Sequence, residues 1–137
     1  MSVQIDVRYE GDLFCTATHG PSGSTFLTEA PVDNGGKGTA FSPTDLVGTA
    51  LGTCILTVMG IVAARAGIDM KGATARATKE MVTGAERRIG RLEVIVTMPA
   101  GKSYAEAERQ RLEEAAHLCP VERSLHPETK VDLRIEW

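Results

Sequence analysis

The sequence predicts an α+β fold in a single domain over residues 1–137, with β-strands from both ends packed around one long apolar helix. Three observations carry that prediction. Apolar residues alternate with period two near the start (Val3, Ile5, Val7, Tyr9), in Leu92-Val94-Val96-Met98, and near the end (Val131, Leu133, Ile135), the mark of half-buried strands. Between Leu46 and Ala64 lie 19 residues without a charge. The length of 137 residues suits one domain with a core of its own.

The elements follow in order. Val3 to Glu10 reads as a strand, Glu10-Gly11-Asp12 as a hairpin turn, and Leu13 to Thr18 as the second strand. His19-Gly20-Pro21-Ser22-Gly23 breaks the chain before a short third strand, Ser24 to Thr28. A loop without periodicity runs from Glu29 to Phe41 and carries Gly35, Gly36 and Gly38. Ser42-Pro43-Thr44-Asp45 then opens the long helix, with Ser42 as N-cap and Pro43 in the first turn; Gly67 stops it after Ala66.

The uncharged run is long enough to span a membrane. Thr49, Thr53, Thr57, Gly48, Gly52 and Gly60 dilute it, and no other segment looks membrane-bound, so the expected state is a helix buried on nearly all sides. One small sheet and one further helix cannot cover such a helix from every direction. A second copy of the chain can, and Gly48 with Gly52, four apart, would let two backbones approach. A homodimer built around this helix is therefore expected.

Two longer strands follow, Lys71 to Met81 and Arg87 to Met98, joined around Gly84. Ser103-Tyr104-Ala105-Glu106 has the form of a capping box and starts a helix with Leu112, Ala115, Ala116 and Cys119 at helical spacing. Cys119 is then N-cap to a short helix at Pro120, His126-Pro127 ends it, and Lys130 to Glu136 is the last strand.

Composition excludes several functions. The formal charge is −3, with 15 basic against 18 acidic residues, so no clustered positive face for nucleic acid is expected. Aromatics at 4% leave few platforms for stacked bases. Three cysteines at long spacings, Cys15, Cys54 and Cys119, form no CxxC pair and no secreted disulfide framework. With a polar, alternating N-terminus in place of a signal peptide, the cytoplasm is the expected compartment.

Cys54 lies on a helical stripe with Val47, Ala50, Leu51, Val58 and Ile61, and a buried core thiol is its plainest reading. Cys119 sits at a helix N-terminus, where free N–H groups and the dipole favour a thiolate. It also belongs to an apolar stripe facing the core, where the two thiols can meet. Gly35-Gly36-Lys37-Gly38-Thr39 is not a P-loop, because Gly38 follows the lysine and no strand leads into it. His117 and Cys119, two apart on a helix, face different directions and make a poor zinc pair, and no metal or cofactor is expected. Cys15 reads as a strand residue and His126 as a solvated turn residue.

Phe41-Ser42-Pro43-Thr44-Asp45-Leu46, followed by Ala50-Leu51-Gly52-Thr53-Cys54 and the apolar helix, resembles the first cysteine motif of the OsmC/Ohr family of osmotically inducible and organic hydroperoxide resistance proteins. Cys119-Pro120-Val121 before a final strand resembles the second, and the element order fits over nearly the whole chain. The resemblance implies an intertwined homodimer and a thiol peroxidase. Cys54 would match the peroxidatic cysteine that attacks an organic hydroperoxide, and Cys119 the resolving one. An external dithiol, lipoyl-type in the family, would reduce their disulfide.

Family peroxidases activate the first cysteine with an arginine and a glutamate. Ten residues before Cys54 stands Thr44, and nine before it Asp45. Nine residues at about 100° each put Asp45 on the face opposite Cys54, roughly 13 Å along the axis, so it would serve only the Cys54 of a partner subunit. Its plainer role is a helix-capping acid. No arginine occurs between Arg8 and Arg65, which leaves Lys37 and His19 as cationic candidates for the substrate. A lysine lacks the planar fork of arginine. That absence favours an alternative: a non-catalytic dimer of the same fold binding a small apolar ligand.

Overall fold

The computed structural model describes residues 1–137, and the chain divides into two compact units, residues 1–47 and 48–137. The first unit holds β1 (Ile5–Gly11), β2 (Phe14–His19), β3 (Thr25–Glu29), a single 3-10 turn at Val32–Asn34, and the start of α1 (Pro43–Ala66). The second holds the rest of α1, then β4 (Thr74–Met81), β5 (Ile89–Thr97), α2 (Glu106–Ala116), α3 (Pro120–Arg123) and β6 (Lys130–Glu136).

In the first unit β1, β2 and β3 form an antiparallel sheet in that order. Its second strand begins at Phe14 rather than Leu13, because Asp12 and Leu13 both take positive φ (52° and 68°) to close the hairpin. The pairing Val7↔Ala17↔Phe26 puts those residues on one face with Ile5 and Tyr9, and that face is largely open. Val7 is 64% exposed and Phe26 50%. A reciprocal cap starts α1: Ser42 N–H donates to Asp45 Oδ2 at 2.8 Å, and Asp45 N–H donates to Ser42 Oγ at 3.1 Å.

In the second unit β4 and β5 are antiparallel, and β6 joins β5 in parallel after the crossover through α2 and α3. Strand β4 starts three residues later than its alternation suggests. Ala73 N–H bonds to the Met70 carbonyl in a turn where Gly72 has φ of 95°, so Lys71 lies before the sheet. The core combines Leu92, Val94 and Val96 on the inner face of β5 with Leu51, Ile55 and Met59 of α1 and Leu112 of α2, all fully buried.

Helix α1 is apolar and long enough for a membrane span, yet only 33% of its apolar window is buried in one chain. The buried residues, Gly48, Leu51, Gly52, Ile55, Met59 and Ala63, form one face, while Thr53, Thr57 and Ile61 are exposed. Gly48 and Gly52 lie on the buried face of α1. A Cβ on Gly48 would make ordinary contact with Leu92, and one on Gly52 with Ala75 and Ala77, so both positions face the chain's own sheet.

Helix α2 begins at Glu106 with Ala105 as N-cap, because Glu108 Oε2, not Glu106, reaches back to the Ala105 N–H at 2.8 Å. The capping sequence expected at Ser103 is thus used two residues on. Helix α2 ends at Ala116, and Cys119 lies past its end. Trp137 fastens the last strand to α2: its Nε1–H donates to Glu113 at 3.2 Å, and Arg109 stands 5.5 Å from its ring centre.

Candidate functional site

Helix α1 and the α2–α3 junction make Cys54 and Cys119 neighbours, near enough for the Cys54 thiol to act on the ionisation of Cys119. The two differ in access. Cys119 is completely buried, whereas Cys54 is half-buried. The reason lies in α1. The stripe expected for Cys54 is not the buried face of the helix but its border: Leu51 is fully buried, Ala50 and Val58 are half-buried, and Ile61 is 47% exposed. A thiol on such a border is packed on one side and open on the other.

Cys119 is the N-cap of α3, as expected, with Pro120 at the first position. The inference that this favours a thiolate fails. Burial pushes the Cys119 thiol above its ordinary pKa, and the neighbouring Cys54 thiol pushes the same way. The backbone N–H groups of Glu122 and Val121 pull it down and are outweighed. Four residues of helix supply two nearby N–H groups but little dipole, and loss of water dominates. Cys119 is therefore a protonated thiol at neutral pH. Glu122 also carries a carboxylate oxygen, Oε2, that is buried without a hydrogen-bond partner.

The remaining candidates sit in the first unit. Asp45 caps α1 through Ser42, the plainer of its two expected roles. His19 Nδ1 lies 2.6 Å from Ser22 Oγ in the turn after β2. Lys37 is exposed in the glycine loop, and its backbone N–H donates to Glu29 Oε1. Cys15 is a half-buried strand residue opposite Tyr9 and Thr28, as its sequence context suggests.

Glu29 is the residue that pattern reading overlooked. It is 1% exposed at the end of β3, and its carboxylate gathers the loop: besides Lys37, Thr39 donates to Oε2 from its N–H at 2.8 Å and from its hydroxyl at 2.6 Å. The Thr39 hydroxyl, with the loop N–H groups, holds the Glu29 pKa below its ordinary value despite burial. The glycine-rich loop is thus an anion nest already filled by the chain's own carboxylate, which is a positive reason that it does not cradle phosphate. Gly36 is required there, since a Cβ would fall 1.5 Å from the Ala30 carbonyl oxygen. The available signal was a single acid closing a strand of otherwise uncharged residues, Thr25 to Thr28, just before the glycines. No group of three or more His, Cys, Asp or Glu side chains stands within reach of one metal ion.

The family model of OsmC-like proteins matches residues 36–134, which include both thiols. Among solved structures, the chain is similar to a Psychrobacter arcticus protein named for an osmotic stress induced and detoxification response. Identity is 38% and the TM-score 0.90, over 99% of this chain and 96% of that one. It shares its fold with an organic hydroperoxide resistance protein OsmC of Legionella pneumophila (12% identity, TM-score 0.77, covering 100% and 98%). It also shares it with an organic hydroperoxide resistance protein of Elizabethkingia anophelis (16% identity, TM-score 0.75, covering 99% and 96%). Among curated proteins none matches.

Proposed function

This chain belongs to the OsmC-like protein family, and on that premise we propose that it is a thiol-dependent peroxidase reducing organic hydroperoxides through Cys54 and Cys119. Membership in the family suggests a peroxide-resistance or redox role. The observation that carries the finer reading is the asymmetry of the thiol pair: a half-buried Cys54 beside a fully buried Cys119.

The chemistry assigned to each follows from that asymmetry. The Cys54 thiolate attacks the outer oxygen of RO–OH; the O–O bond breaks, the alkoxide takes a proton and leaves as an alcohol, and Cys54 becomes a sulfenic acid. Cys119, kept protonated and out of water, does not compete for peroxide. Its sulfur then displaces the hydroxyl from Cys54, the thiol proton leaves with that hydroxyl as water, and a disulfide remains. An external dithiol of the lipoyl type would return both cysteines to thiols by two exchanges and leave as a disulfide.

The working unit in this reading is an intertwined homodimer in the cytoplasm. Support comes from the open face of α1 and from the uncovered Ile5, Val7, Tyr9 and Phe26 of the first sheet, apolar surfaces that a second copy would bury. Asp45, Lys37 and His19 are the acidic and cationic groups proposed to serve the thiols or the substrate in that dimer.

The test uses reduced protein and one equivalent of tert-butyl hydroperoxide. Mass spectrometry is expected to show a Cys54–Cys119 disulfide, with the alcohol formed in equal amount. Unconsumed peroxide and intact thiols would end the peroxidase reading. They would leave the non-catalytic alternative, a dimer with a cleft for a small apolar ligand, which the missing arginine favours.

A further inference from the structure

We propose that the outer face of the second sheet is a binding site for a small phosphorylated molecule, its phosphoryl group held between Arg76 and Arg134. The register places Arg76 (β4), Ile95 (β5) and Arg134 (β6) in one row across three strands, on the face turned away from Leu92, Val94 and Val96. The two arginine backbones lie two strand spacings apart, about 10 Å, with Ile95 as an apolar floor between them. Side chains of that length reach one oxyanion from opposite sides. The row lines a cavity of about 550 Å³, also bounded by Thr74, Thr97 and Glu136.

Charge pairing leaves this row unbalanced. In the neighbouring rows Arg91 binds Asp132 at 2.7 Å, Glu80 at 2.9 Å and Glu93 at 3.5 Å, and Lys130 adds a second contact to Asp132 at 3.7 Å. Every acid there is engaged. Glu136 takes one bond from Arg134 at 3.3 Å and one from the Thr97 hydroxyl at 3.2 Å. Arg76 makes no hydrogen bond or ion pair. One guanidinium is thus free and the other held by a single long contact.

Two guanidiniums facing each other suit a tetrahedral, doubly charged group, because a planar carboxylate is satisfied by one arginine fork alone. The cavity is much larger than a bare phosphate and falls within the range of small-molecule sites, about 300–1,000 Å³. With Ile95 beside the arginines, the fitting ligand is a phosphate monoester whose organic part covers that floor.

The probes are phenyl phosphate, inorganic phosphate and benzoate, titrated into the reduced protein at fixed ionic strength and followed by amide NMR. Phenyl phosphate is expected to give saturable shifts at Ile95 and Thr97, at least fivefold tighter than inorganic phosphate. R76Q and R134Q each weaken it about tenfold, the equivalent of one lost charged hydrogen bond, while K79Q, on the inner face, does not. Thermal melts of the variants confirm that they fold, and tert-butyl hydroperoxide consumption stays at the wild-type level. Benzoate binding as tightly as phenyl phosphate overturns the phosphoryl assignment. Absence of saturable shifts with all three probes overturns the site, and neither result bears on the thiol chemistry.

Discussion

Thr39 donates twice to the same carboxylate oxygen of Glu29, from its backbone N–H and from its hydroxyl. A strand-end acid therefore fixes a loop that would otherwise be free to move, and with it the position of Lys37. Glu29→Gln keeps one oxygen that can accept both Thr39 bonds but puts an NH2 donor where the other oxygen accepts the Lys37 N–H, so one loop bond is lost. Tryptic cleavage after Lys37 at neutral pH is expected to quicken about tenfold, the equilibrium equivalent of one lost charge-assisted hydrogen bond. Cleavage at the wild-type rate would show that the loop is held by other means. Because the Glu29 pKa is lowered on folding, its contribution is complete above the ordinary carboxylate value and fades as pH falls through the folded one. The protection of the Lys37 and Thr39 amides, measured against their intrinsic exchange at each pH, should thus fall in acid below that value, and much less so in the Gln variant.

Cys119 predicts an effect at the alkaline end. Its pKa is raised on folding, so the unfolded chain loses this proton at a lower pH than the native protein does. Stability is unaffected below the ordinary cysteine pKa and declines as pH rises beyond it. A Cys119→Ala variant should show a flatter fall in melting temperature between pH 8 and 10 than the parent. Parallel slopes would place the alkaline sensitivity elsewhere.

Separated roles for the two thiols can be caught in single variants. Cys119→Ser is expected to consume one equivalent of tert-butyl hydroperoxide and stop, leaving a Cys54 sulfenic acid that dimedone traps. Cys54→Ser should consume none. Iodoacetamide should label Cys54 of the native reduced protein at least tenfold faster than Cys119, given complete burial of the latter. Faster labelling of Cys119 would reverse the assignment.

The two faces of α1 should respond to mutation in different ways. Met59→Ala empties a fully buried site and should cost about 2–5 kcal/mol of stability. Ile61→Glu, on the open face, should leave the fold of the chain intact and turn dimers into monomers by light scattering. A dimer that survives Ile61→Glu would require an interface elsewhere on the chain.

The strands and the long helix were legible because their periods differ so plainly: Leu92, Val94 and Val96 alternate, and nothing charged interrupts Leu46 to Ala64. Boundaries were less so. Lys71 and Leu13 look like strand residues by pattern, but a positive φ at Gly72 and at Leu13 itself turns the chain there, and apolarity says nothing of φ. Facing was the harder matter. An apolar helix has no polar side to point outward, so the sequence offered no means of telling that Gly48 and Gly52 lie on the sheet while Ile61 does not.

Within the site, both cysteines are evident from their motifs, whereas their proximity depends on the packing of α1 against the α2–α3 junction, which no motif encodes. The sign of the Cys119 shift is not legible in sequence, because an N-cap position is local and visible there, whereas the burial that outweighs it comes from distant residues. Glu29 escaped notice for a related reason. A carboxylate bonded to main-chain N–H groups leaves no partner residue type to search for.

Sixty-four residues separate Cys54 from Cys119 along the chain. A covalent link between them would close nearly half the polypeptide into one loop and remove from the unfolded ensemble an entropy worth about 4 kcal/mol. Such a link would tie redox state to mechanical persistence. Molecules that have met peroxide would resist heat, denaturant and proteases better than those that have not, and reduction would return them to the softer form.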